Sequence, residues 1–198
     1  MPLTSIRRRV SAIRNADPRL ADLVLLYLAI KVALVVVALL GSQLLPFNWH
    51  LYRLNLLLDV QGLPEVFRPF STWDTQHYLF LSQRGYGVNP MSNAFYPLYP
   101  YLVWLATPLF FNRPLIAAYV IANLFSLLVP IYMYRLGALF FTKEQAFRAT
   151  VLLLTFPTAF FLSVAYTESL YLSLCLMAFY YLFRGDVPKA SLACFLLP

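Results

Sequence analysis

The run AFYPLYPYLVWLATPLFF, residues 94–111, is apolar for long enough to cross a bilayer, and whether it crosses sets the side of every later segment. If it spans, the next apolar run, 114–136, returns, and Arg135, Lys143 and Arg148 are left outside. If it lies along the interface, 114–136 carries the chain inward and the same three cations fall in the cytoplasm, where Lys and Arg collect in membrane proteins. Pro97, Pro100 and Pro108 each remove a backbone donor, which suits a broken segment better than a straight span. Tyr and Trp in the same run suit the headgroup level. The segment is therefore read as interfacial or partly re-entrant.

Composition agrees that lipid is the solvent. The 198 residues are 61% hydrophobic and 12% charged, against about 25% charged in soluble domains. The net charge of +7 is explained by cytoplasmic Lys and Arg, so no nucleic-acid partner is expected. The first span is 23–45, preceded by Arg7, Arg8, Arg9, Arg14 and Arg19, which place the N-terminus in the cytoplasm. Lys31 inside that span is expected to snorkel or to meet a polar partner. Residues 46–113 form a first extracytoplasmic loop with juxtamembrane helices. After it, 114–136 crosses inward, 149–165 outward and 168–183 inward. The last run, ASLACFLLP, starts another span and covers about half of what a bilayer needs. The expectation is a single, all-α, multi-pass transmembrane domain over 1–198, incomplete at its C-terminus. Cys175 and Cys194 sit in apolar runs, away from any metal-ligand spacing, and read as packed thiols.

This threading puts two polar islands on the extracytoplasmic face: WDTQHY, 73–78, and AYTES, 165–169. Asp74 precedes a short helix over 75–84, which Ser71 or Thr72 is placed to cap. Asp74 either offsets that helix dipole or serves as a general base for a hydroxyl attacking an electrophilic carbon. His77 and Tyr78 share its helix face. His77 could orient the carboxylate or bind a phosphate, and Arg68 and Arg84 could hold an anionic lipid phosphate or simply snorkel. Glu168 is either a boundary carboxylate with a function or first-turn chemistry behind a Thr167 cap. GYGVNP, 85–90, is a turn that ends the helix and lacks the rest of a phosphate-loop fingerprint.

Three blocks in order, WDTQHYLFLSQRGY, AFYPLYPYL and FPTAFFLSVAYTESLY, resemble the PIG-V-type mannosyltransferases of the GT-C glycosyltransferase superfamily. The resemblance covers roughly 70–185. It rests on Trp73, Asp74, His77, Gly85, Tyr86, Phe95, Pro97, Pro100, Pro157, Tyr166, Thr167, Glu168 and Ser169. It implies GT-C-like transmembrane helices with juxtamembrane helices in the first outer loop. It also implies mannose transfer, by inversion, from a polyprenyl- or dolichyl-phosphate sugar to a glycolipid or glycan acceptor. Asp74 matches the acidic catalytic position. Trp73, Gln76, His77, Arg84, Tyr86, Tyr96, Tyr166, Glu168 and Ser169 are the substrate-binding candidates that follow. Asp74 has no adjacent second acid, as many superfamily members have, so neither a metal nor another cofactor is expected. Partners are the lipid-linked donor, the acceptor, membrane lipids, and a C-terminal part or partner subunit. Two other readings stand beside this one: a non-catalytic subunit of the same fold, and a transporter fragment.

Overall fold

The computed structural model describes residues 17–58 and 70–197. Arg68 and the arginines at 7, 8, 9 and 14 lie outside these residues. Among the described residues there are eight α-helices and no strand. They are α1 (Pro18–Leu44), α2 (Trp49–Leu54), α3 (Asp74–Arg84), α4 (Leu98–Ala106), α5 (Pro114–Phe140), α6 (Lys143–Thr155), α7 (Glu168–Arg184) and α8 (Val187–Phe195). This is an all-α membrane protein.

α1 and α5 are each 27 residues long and strongly apolar, about 40 Å of helix and more than a hydrocarbon core requires. α5 is the central element and packs against α1, α4, α6 and α7. It can do so because Ala118, Ala122, Ser126 and Pro130 recur every fourth residue and are all buried. Small side chains on one face let neighbouring backbones approach closely. At Gly137 an added Cβ would lie 3.1 Å from the Ala146 Cβ, so α6 has no room for a larger residue there. Tyrosines from neighbouring segments peg onto α5 carbonyls: Tyr27 Oη donates to Asn123 O at 3.1 Å and Tyr99 Oη to Ala118 O at 2.8 Å.

α1 starts with Asp17 as its cap, one oxygen accepting from Arg19 N–H. The other oxygen takes Tyr134 Oη at 2.8 Å and Lys143 Nζ at 2.7 Å, tying the start of α1 to the end of α5 and the start of α6. Lys31 meets polar partners, Ser126, Leu162 and Ser163, and does not reach for an interface.

One expectation changes. The straight crossing over 149–165 is instead α6 followed by a 3₁₀ segment, Pro157–Ser163, bent from it by 79°. Pro157 has no N–H to continue the helix, and it holds Phe156 in extended backbone at φ −64°, ψ 139°. The run 94–111 is broken, as its prolines suggested, and is not one helix. It is a 3₁₀ turn at Ser92–Ala94, the nine-residue α4, and a second 3₁₀ turn at Thr107–Phe110. At roughly 14 Å, α4 is too short to cross.

Candidate active site

Asp74 is the first residue of α3, and the helix begins without a side-chain cap. The N-cap position falls to Trp73, at φ 52° and ψ −129°, and not to Ser71 or Thr72. A left-handed φ on a bulky residue is strained, and such strain gathers at functional positions. It swings the indole outward, leaving Trp73 exposed. The far end of α3 closes on Gly85 at φ 74°, as the turn sequence suggested.

The buried face of α3 mixes Thr75, Gln76 and Ser82 with Tyr78, Leu79 and Leu81. Gln76 is fully buried, its Oε1 accepting from Leu57 and Leu58 N–H at 3.2 and 3.1 Å while its amide donates to Ser71 O. Tyr52 Oη meets Ser71 Oγ at 3.1 Å. Gln76 therefore fastens the segment after α2 to α3, and its side chain belongs to the framework of the site. His77 Nδ1 lies 2.9 Å from Ser92 Oγ, and its ring stacks on Phe95 at 4.7 Å. Burial lowers its pKa from the ordinary imidazole value, and the negative charge of Asp74 only partly opposes this. His77 is accordingly neutral at neutral pH and offers no fixed positive charge.

The second island arrives through Tyr78. Its hydroxyl bonds Thr167 Oγ1 at 2.8 Å across 89 residues of sequence. Thr167 does hold the N-cap position of α7, but its hydroxyl is spent on Tyr78 and does not cap the helix. Glu168 follows as the first residue of α7. Tyr166 is buried, with Phe161 stacked on it at 5.7 Å. Burial pushes the hydroxyls of Tyr78 and Tyr166 well above the ordinary phenol range, and the charges of Asp74 and Glu168 push both further. Both phenols thus stay protonated, and both sense both carboxylates, which places Asp74 and Glu168 in one neighbourhood.

Two cavities flank Trp73. One, of about 230 Å³, runs between Trp73, Thr75 and Tyr166; the other, of about 280 Å³, lies between Trp73, Tyr52 and Asn55. Glu168 edges a third, of about 310 Å³, walled mainly by apolar groups such as Phe156 and Leu172, with Thr158 and Tyr171 among them. Thr75 and Ser169, each directly after one of the carboxylates, have fully buried hydroxyls without a hydrogen-bond partner among the described residues.

Trp73 and Tyr166 wall one cavity, and Tyr166 feels the charges of both Asp74 and Glu168. Ser169 follows Glu168 with its hydroxyl buried, and Gln76 and His77 make their bonds on other sides of α3. The structure does not bring Arg84 to Asp74: the arginine is exposed at the other end of α3, roughly 15 Å along the axis. Tyr86 donates to Phe95 O at 2.8 Å, and Tyr96 is exposed beyond it. Tyr78 carries more of the arrangement than the sequence reading assigned to it. Its signal was the i+4 spacing from Asp74. Ser92 had no such signal, since nothing local pairs it with His77.

Comparison with known proteins supplies the family. The family model described as Mannosyltransferase (PIG-V) matches residues 58–196. The chain belongs to the PIG-V mannosyltransferase family. Within it, the chain is 32% identical over 127 residues to GPI alpha-1,6-mannosyltransferase 2 of Rattus norvegicus, covering 58% of this chain and 25% of that protein. The Homo sapiens protein of the same name is 31% identical over 129 residues, 59% of this chain and 26% of its own length. The chain thus spans about a quarter of the length of the curated relatives it matches. No solved structure matches it. Trp73, Asp74, Tyr166 and Glu168 all fall inside the segment matched to the PIG-V family.

Proposed function

We propose that this chain carries the catalytic base of a mannosyltransferase. The enzyme takes mannose from a polyprenyl- or dolichyl-phosphate donor and attaches it, with inversion, to a glycan or glycolipid hydroxyl on the extracytoplasmic side. The observation that supports this most is the junction of the two helix starts: Asp74 lies in sequence between Trp73 and Thr75, which wall a cavity with Tyr166, and the Tyr78–Thr167 bond ties the turn bearing Glu168 to α3. The family and the relatives' printed names supply the sugar and make a glycolipid acceptor a fitting one. On this reading residues 46–113 are the first extracytoplasmic loop, and α2, α3 and α4 lie along the membrane surface.

Asp74 accepts the proton of the attacking hydroxyl. The hydroxyl oxygen bonds to C1 of mannose as the bond from C1 to the phosphate oxygen breaks. That electron pair leaves with the lipid phosphate, and the proton passes on to phosphate or water. The leaving group is already anionic, so strong acid assistance is unnecessary. Hydrogen-bond donation from the Tyr166 phenol supports it better than His77, which is neutral, or Arg84, which is distant. Glu168 accepts hydrogen bonds from sugar hydroxyls.

The test uses the full-length natural polypeptide in membranes with labelled polyprenyl-phosphate mannose. Wild type transfers label, and Asp74→Asn loses roughly 10²- to 10⁴-fold while remaining folded, the usual scale for general acid–base catalysis. Equal transfer by both would remove Asp74 from the chemistry and would fit a non-catalytic role for this site.

A further inference from the structure

Midway along α1 is a lysine in apolar surroundings whose three donors are all committed. Lys31 Nζ donates to Ser126 Oγ at 3.0 Å, Leu162 O at 2.8 Å and Ser163 Oγ at 2.7 Å. An ammonium has three N–H groups, so the set is filled. The Tyr27 ring, one helical turn away, lies 5.0 Å from the same nitrogen. No carboxylate among the described residues pairs with it; every acceptor is a neutral oxygen.

Two of the three acceptors belong to the last two residues of the 3₁₀ segment Pro157–Ser163. The final carbonyls of such a segment have no partner within it and need a donor from elsewhere. Lys31 supplies one. Asn123 of α5 supplies another, its Nδ2 donating to Ser163 O at 3.3 Å and to Tyr119 O at 2.9 Å. Tyr27 and Lys31 are four residues apart on one face of α1, and Asn123 and Ser126 three apart on one face of α5. Together these two faces grip the end of the bent segment. Four residues after Ser163 the chain is held again, at Thr167, by Tyr78. Between these two holds lie Val164, Ala165 and Tyr166, and Glu168 comes directly after the second.

We propose that Lys31 is a positioning residue: it fixes the exit of the 3₁₀ segment, and through it the placement of Tyr166 and Glu168 at the site. The rate consequence rests on the glycosyl-transfer reading above; the clamp itself does not. An intramembrane lysine is costly to insert and is usually explained by a specific partner. Here the partner is the backbone that leads into the second carboxylate. A lysine serving only to pack α1 on α5 would need Ser126 and Tyr27, not Leu162 and Ser163.

The experiment uses the full-length natural polypeptide in lipid nanodiscs, comparing wild type with Lys31→Met, Ser163→Ala and Ser126→Ala. Amide hydrogen exchange is read over 157–169 and over α5, without substrate. Transfer from a short-chain polyprenyl-phosphate mannose is read as separate kcat and KM. Lys31→Met and Ser163→Ala are expected to speed exchange at 164–168 while leaving α5 unchanged. The same two are expected to lower kcat by roughly tenfold to a hundredfold through Tyr166, the scale on which an ångström of misplacement acts, and to raise KM through Glu168. Ser126→Ala, which leaves the hold on the turn, stays close to wild type in both. If Lys31→Met does not insert, Ser163→Ala carries the test alone. Unchanged exchange at 164–168, or equal loosening of α1, α5 and the turn, overturns the clamp. Looser exchange with wild-type kcat, where Asp74→Asn abolishes transfer, overturns the effect on rate while the functional reading stands. Looser exchange with no transfer by wild type leaves the clamp supported and rejects the functional reading.

Discussion

α3 and α7 are written in the same grammar. Each opens on a carboxylate, Asp74 or Glu168, closes on an arginine, Arg84 or Arg184, and ends at a glycine of positive φ, Gly85 at 74° or Gly185 at 75°. Their entrances differ. Trp73 stands before Asp74 at φ 52° and ψ −129°, whereas Thr167 stands before Glu168 in relaxed helical backbone at φ −82° and ψ −11°. Their backing differs too. α3 hides an amide, Gln76, that pins neighbouring backbone, while α7 buries leucines, Leu170, Leu174 and Leu176, beside Ser169, Ser173 and Ala178. Strain held in place by a polar network marks the start of α3 as the position where geometry is bought at a cost in stability. The start of α7 is an ordinary helix entrance placed from outside, by Tyr78 in front and Lys31 behind.

That contrast predicts unequal roles. Asp74→Asn should remove nearly all transfer, roughly 10²- to 10⁴-fold in kcat, as expected for loss of a base. Glu168→Gln keeps a hydrogen-bonding group of the same size and should act mainly by raising KM for the sugar substrate, with a kcat loss well below that of Asp74→Asn. Steady-state transfer with both variants checks this. Equal kcat losses would mean that the two helix starts share the chemistry and that the strained entrance is not what distinguishes them.

Much of this was legible before any coordinates. The apolar runs gave α1 and α5, and the positions of Arg135, Lys143 and Arg148 argued 94–111 out of being a span. Both carboxylate islands were visible as breaks in hydropathy. What was not legible was whatever depends on contacts across the chain. Ser71 and Thr72 are ordinary cap residues, yet the N-cap position falls to Trp73, because backbone strain at Trp73 cannot be seen in residue types. Thr167 looked like a cap and is a cross-link to Tyr78. Arg84 looked like part of the cluster because it is near in sequence, but a straight helix carries it away from Asp74. Lys31 announced that it needed a partner without saying which one, since Ser126, Leu162 and Ser163 are distant in sequence and two of them are unremarkable in type.

A second prediction isolates the strain. Trp73→Ala and Trp73→Gly both remove the indole that walls the two cavities, so both should lose transfer. They should differ in stability, because glycine accepts a positive φ and alanine does not. Trp73→Gly should be more stable than Trp73→Ala by about 1 kcal/mol, the lower end of what a strained backbone stores. Thermal unfolding in detergent, compared as a pair, measures it. At Thr167 the same pair should show the reverse order, because the backbone there is already relaxed and glycine only adds freedom to the unfolded chain.

The smallest effect tests what joins the two starts. Tyr78 is buried, with its ring edge-on to Phe95 at 5.0 Å and to Tyr99 at 5.1 Å. Tyr78→Phe therefore keeps the packing and deletes only the hydroxyl. Thr167→Val deletes the other hydroxyl at nearly constant shape. Each single change strands one partner, so neither measures the bond by itself, whereas the double-mutant cycle does. A coupling energy of about 0.5–1.5 kcal/mol is expected for a neutral hydrogen bond of this kind. Because the bond reaches from the strained helix start to the relaxed one, its loss should also loosen the relaxed side first. Exchange at 164–168 should rise in Tyr78→Phe, while the start of α3, held separately by Gln76, should not change. A coupling near zero, or loosening confined to α3, would mean that the two carboxylates are neighbours by packing alone and that the comparison between their entrances describes two independent features.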